Sequence, residues 1–160
     1  MSIVLKYKYR KFGIVNKPSE AFPRRFSFSR PVIPVKLING ENSQKQLAII
    51  DSGADFCVFH ASIGKLIGID IESGKKQDFY GVSTKAKPSI AYFHNIKIGV
   101  GGYEFDCWAG FSSDINNLPY GFLGQLGFFN LFKVILDYNK EQIELRLENT
   151  VKSSPKPSKT

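Results

Sequence analysis

The chain has 160 residues, 42% of them hydrophobic, and a formal net charge of +8. This is enough apolar material for one domain with a core, and no apolar stretch approaches the roughly 20 residues of a membrane-spanning helix. Fourteen Phe, seven Tyr and fourteen Gly, spread through short alternating runs, favour an all-β chain over a helical one.

The charge is uneven along the chain. Residues 1–30 carry eight Lys/Arg and one Glu, residues 31–149 eleven Lys/Arg against thirteen Asp/Glu, and the last residues, from 150, three Lys. The expected organisation is therefore an aromatic, basic arm over 1–29, a domain over 30–149 and a disordered basic tail over 150–160. The start, Met1-Ser2-Ile3-Val4-Leu5-Lys6, lacks the apolar centre of a secretory signal, so a cytoplasmic protein is expected.

In the arm, Tyr7, Tyr9, Phe12, Phe22, Phe26 and Phe28 alternate with Lys6, Lys8, Arg10, Lys11, Arg24, Arg25 and Arg30. Two accounts fit that pattern. One is an edge strand with buried rings and protective lysines, packed on the domain or across a dimer interface. The other is a nucleic-acid contact through phosphates and stacked bases. The arm's position would also let it cover a cleft until removed.

From Val32 the pattern predicts a strand through Ile38, a turn at Asn39-Gly40 and a second strand ending at Ile50. Ala61 to Ile67 predicts a short helix with Ile63, Leu66 and Ile67 inward. Asp78-Phe79-Tyr80-Gly81-Val82-Ser83-Thr84-Lys85 reads as a hairpin turn. Gly99-Val100-Gly101-Gly102 lacks the Gly-Lys-Ser/Thr ending of a nucleotide loop, and the alternation around it makes it a hairpin connection. Gln125 to Phe132 reads as a short apolar helical segment, and Lys133 to Tyr138 with Ile143, Leu145 and Leu147 as a closing hairpin.

Cys57 and Cys107 are the only cysteines, and neither has metal-ligand spacing. Two buried free thiols are expected. His60 and His94 are isolated, so no metal site is expected.

The chemistry concentrates at Asp51-Ser52-Gly53, which follows the apolar run Leu47-Ala48-Ile49-Ile50 and continues as Ala54-Asp55; far downstream lies Phe122-Leu123-Gly124. A buried strand delivers an acid into a tight turn, and glycine lets the backbone turn sharply and bring its N–H to the carboxylate. Together the two motifs resemble the retropepsin-like aspartic proteases over about residues 30–148. Ser52 stands where that family more often has threonine. Gln125 stands where viral members have an arginine, and bacterial members often have glutamine there.

The resemblance implies a small closed β-barrel with one or two short helices, a catalytic Asp51, and loop support from Ser52, Gly53, Leu123 and Gly124. It implies substrate contacts at Ala54, Asp55, Tyr80, Gly81 and Val82, the last three in a flap that closes over the cleft. Two carboxylates within hydrogen-bond distance share a proton, so one serves as base and the other as acid without metal or cofactor. A single Asp-Ser-Gly in the chain then implies a two-fold homodimer cutting an extended peptide, one Asp51 from each copy. The alternative is a non-catalytic dimeric binding or assembly module of the same fold, whose basic arm contacts nucleic acid or acidic partners.

Overall fold

The computed structural model describes residues 2–81 and 87–147, and the backbone of 156–157. Thirteen strands and one short helix follow in order: β1 (Val4–Lys8), β2 (Arg10–Gly13), β3 (Ser27–Arg30), β4 (Val32–Asn39), β5 (Asn42–Ile50), β6 (Val58–His60), α1 (Ala61–Leu66), β7 (Lys75–Phe79), β8 (Ser89–Val100), β9 (Tyr103–Ser112), β10 (Gly121–Leu123), β11 (Phe132–Asp137), β12 (Gln142–Leu147) and β13 (Lys156–Pro157).

The largest sheet runs β9-β6-β10-β5-β4-β8, and β8 also pairs with β9, so these six strands close into a barrel. Closure leaves no free edge on those strands. β7 extends the sheet beyond β8, and β13 lies beside β9. Alternation accounts for the interior: Ile33, Val35 and Leu37 of β4, Ala48 and Ile50 of β5, and Ile96, Ile98 and Val100 of β8 are all buried. The β4–β5 turn uses Gly40 at φ +60°, and the β8–β9 turn uses Gly101 and Gly102 at φ +58° and +86°. Positive φ at both central residues suits a type I′ hairpin turn, and positive φ at the first alone, as at Gly40, a type II′ turn.

A second sheet, β1-β12-β11, covers one end of the barrel. Ile143 and Leu145 of β12 are fully buried in the same cluster as the barrel interior, with Leu5 and Tyr7 of β1 packed against it. The first strand thus pairs with almost the last, Val4 opposite Arg146. β2 and β3 form a separate hairpin, Phe12 opposite Phe28. Phe22 and Phe26 on the loop between them are exposed. Of the tail, Lys156–Pro157 pairs with Tyr103–Glu104 of β9; the other tail residues lie outside the described ones.

Two local expectations are corrected. On α1 Ile63 packs against the core and Ile67 after it is buried, as expected, but the buried helical residues are Ala61 and Gly64, and Leu66 is 70% exposed. Gly64 sits so close to Ile71 and Phe111 that an added Cβ would stand 2.7 Å from each, which fixes the face that turns in. Of Gln125 to Phe132, Phe132 opens β11, and the residues up to Leu131 form a series of turns rather than a helix. Gly127, at φ +105°, interrupts it.

Candidate active site

β5 and β10 run parallel, Ile50 opposite Leu123 and Ile49 opposite Phe122. Ile50 and Leu123 are buried, so the core fixes where the chain leaves β5. Asp51 is the first residue out, and its N–H donates to the Leu123 carbonyl at 3.0 Å. The Gly53 N–H donates to Asp51 Oδ1 at 2.9 Å, and the Ala54 N–H closes the turn on the Asp51 carbonyl at 3.1 Å. The carboxylate is thereby aimed by its own loop. A Cβ on Gly53 would lie 3.2 Å from Asp51 Oδ1, so glycine keeps that approach open.

The segment after β10 clamps this loop from the other side. The Gln125 N–H donates to the Ala54 carbonyl at 2.8 Å and the Leu126 N–H to the Asp55 carbonyl at 2.9 Å. The Gln125 side-chain amide donates to the Ser52 carbonyl at 2.9 Å. A neutral amide here ties one loop to the other, and the Asp55 side chain is left facing the cleft. Gly124 is the tightest point: a Cβ there would stand 2.3 Å from the Phe56 carbonyl oxygen. Its N–H donates to Cys57 Sγ at 3.4 Å. Cys57 and Cys107 are both buried and unbridged. The Cys107 thiol, which donates to Cys57, is held well above its ordinary range by that bond and by burial.

Above the loop lies a hollow of about 730 Å³. Asp51, Gly53, Ala54, Asp55, Tyr80 and Gly81 all line it. Ser52, Leu123 and Gly124 hold the loop without lining the hollow, and Val82 lies outside the described residues. The sequence reading missed Phe56, Phe79, Leu118, Tyr120 and Phe122, which give the hollow its apolar walls. For Phe122 the signal was available: on a strand whose Leu123 points inward, its neighbour must face the cleft.

Tyr120 joins the arm to this wall. Its ring meets Phe12 edge-on at 5.5 Å and Phe122 at 6.0 Å. The Arg30 guanidinium lies 5.2 Å from the Phe12 ring centre and 5.8 Å from that of Tyr120, a cation between two aromatic faces. None of residues 2–30 lines the hollow itself. The Tyr120 carbonyl is within 3.2 Å of His60 Nε2, and burial lowers the His60 pKa despite that bond.

Among the described residues three carboxylates, Asp51, Asp55 and Asp78, line the hollow, and no Lys, Arg or His does. Among the described residues no group of three His, Cys, Asp or Glu is placed to hold a metal ion, and no helix is long and apolar enough to cross a membrane.

A closed barrel whose Asp-Ser-Gly loop is bonded to a parallel apolar-apolar-Gly strand is the single-domain acid-protease fold. Among solved structures the chain is similar to a retropepsin-like aspartic protease from Rickettsia conorii, with a TM-score of 0.54 and 13% identity over 92% of this chain and 94% of that one. It is also similar to the EIAV protease complexed with an inhibitor, with a TM-score of 0.42 and 18% identity over 60% and 82%. At these identities the likeness is one of fold. No protein-family model matches the sequence, and no curated protein matches it.

Proposed function

We propose that the protein is an aspartic endopeptidase, active in the cytoplasm as a homodimer in which Asp51 of each copy faces the other across a two-fold axis. The observation that carries this reading is the Asp51 loop: a carboxylate oriented by the Gly53 N–H and locked to β10, at the edge of an apolar hollow. One chain has one Asp-Ser-Gly, so the pair needs a second copy. The catalytic unit would be residues 30–149, flanked by the 1–29 arm and the 150–160 tail.

The two carboxylates share one proton because both cannot ionise readily at such short range. The ionised one takes a proton from a water whose oxygen attacks the peptide carbonyl. The protonated one gives its proton to the carbonyl oxygen, and collapse of the tetrahedral species expels the amine, which leaves with a proton from the dyad. Ser52, Gly53, Leu123 and Gly124 keep the loop in register. Ala54 and Asp55 on the floor, with Tyr80, Gly81 and Val82 in the flap, would hold the substrate as an added strand. No metal or organic cofactor enters this chemistry.

The test is cleavage of a diverse peptide library between about pH 4 and pH 7, where such a dyad works as acid and base. Wild type should cut, and Asp51→Asn should leave every peptide intact with an unchanged melting temperature. Cuts that persist in Asp51→Asn would overturn the proposal.

A further inference from the structure

A second hollow, of about 240 Å³, opens beside the first and shares Phe56 and Gln77 with it. Its other walls are Phe93, Trp108, Leu126, Lys75 and Lys76. An unbroken series of aromatic contacts connects the two. Phe79, in the cleft, meets Phe56 at 6.3 Å; Phe56 meets Phe93 at 4.9 Å; and Phe93 meets Trp108 at 5.8 Å.

Two features of this hollow call for an occupant. Trp108 is 47% exposed and Leu126 65% exposed, although both are large apolar side chains on a paired backbone. Exposed apolar surface in a concave site with aromatic walls marks a place where another apolar group docks. The charge also reverses between the hollows. Among the described residues the cleft is lined by three carboxylates and no cation, the side hollow by two lysines and no carboxylate. Among the described residues neither lysine is in a salt bridge. A chain crossing both hollows would thus be read as apolar and uncharged near Asp51, then as apolar with an adjacent acid farther out.

We infer that the Trp108 hollow is an outer subsite of the same cleft, taking a bulky apolar or aromatic residue of the peptide next to an Asp or Glu that pairs with Lys75 and Lys76. This rests on the protease reading for the direction in which the peptide lies. It goes beyond it in assigning Trp108, Leu126, Lys75 and Lys76 to substrate selection. Burial of the apolar side chain against Trp108 would supply most of the affinity, and the lysines would set the choice of neighbour.

Trp108 is the only tryptophan of the chain, so its fluorescence reports occupancy directly. The probes are peptides in which a Phe-Glu or Phe-Lys pair is moved outward one residue at a time from a fixed apolar centre. They are titrated into the full-length Asp51→Asn protein, where binding is read without turnover, and given to wild type for cleavage. At one outer position the Phe-Glu peptide should shift Trp108 emission saturably and bind about tenfold tighter than its Phe-Lys twin. Lys75→Glu with Lys76→Glu should invert that order at an unchanged melting temperature, and added salt should shrink it.

Cleavage by wild type with Trp108 emission indifferent to every peptide would overturn the subsite and leave the protease standing. The expected order of binding in Asp51→Asn, with no cleavage of any peptide by wild type, would support the subsite and overturn the protease. A preference that charge reversal does not change would remove the lysines from the proposal.

Discussion

Gly81 lines the cleft and Gly124 holds the loop beneath it, and an added Cβ would meet opposite surroundings at the two. At Gly124 it would enter backbone, 2.3 Å from the Phe56 carbonyl oxygen and 2.7 Å from that of Ala54. At Gly81 no described residue would lie within 4 Å of it, and the backbone angle, φ +100°, asks for glycine. The floor of the cleft is an extension of the barrel core, bound to β10 and to the segment after it by hydrogen bonds from Asp51, Gln125 and Leu126. The roof is the end of β7, whose first four residues Lys75, Lys76, Gln77 and Asp78 are all exposed. Tyr80 beyond them is 78% exposed. On the proposed function, chemistry that needs fixed geometry would sit on the element tied to the core, and contact with a ligand that must enter and leave would fall to the exposed one.

The comparison breaks most severely at the floor. Gly124→Ala should destabilise the fold on the order of 3 kcal/mol, because the clash is with backbone that cannot move without opening the Asp51 loop. A thermal or urea melt would show it, and activity should fall with the loop. At the roof, Gly81→Ala should leave the melt unchanged and raise KM about fivefold, since positive φ costs a non-glycine residue roughly 1 kcal/mol in a segment outside the core.

The smallest expected effect concerns the cleft wall. Burial makes His60 harder to protonate in the folded protein than in the unfolded one. As pH falls below about 6.5, the unfolded chain takes the proton first, so the stability due to neutral His60 is present above that value and is lost below it. His60→Gln should flatten that part of the melting-temperature profile. An identical profile in the variant would show that Tyr120 does not depend on the charge of its neighbour.

The elements that were legible in the sequence are those whose cause is local. Alternation through Val35, Leu37, Ile96 and Ile98 marked strands, Asn39-Gly40 and Gly101-Gly102 marked turns, and Asp51-Ser52-Gly53 after an apolar run marked the acid and its loop. Long-range pairing was not legible. Nothing near Val4 says that β1 will lie against β12, and Trp108 meets Phe93 only through the β8–β9 register. Nothing around Tyr120 in sequence marks its place in the cleft wall, because its neighbours Phe12 and Arg30 come from a hairpin far away. Leu66 was misplaced for a different reason. Six residues hold less than two turns, too few for periodicity to choose a face, and Gly64 chose it by fitting where no side chain could.

The proposed function requires that each active site take one Asp51 from each of two chains. Wild type and Asp51→Asn can be unfolded together and refolded in varied ratio at fixed total concentration, then assayed on a peptide that wild type cuts. If the carboxylates are shared, mixed dimers are dead and total activity falls as the square of the wild-type fraction. A linear fall, with each wild-type chain keeping its full activity whatever its partner, would contradict the shared site.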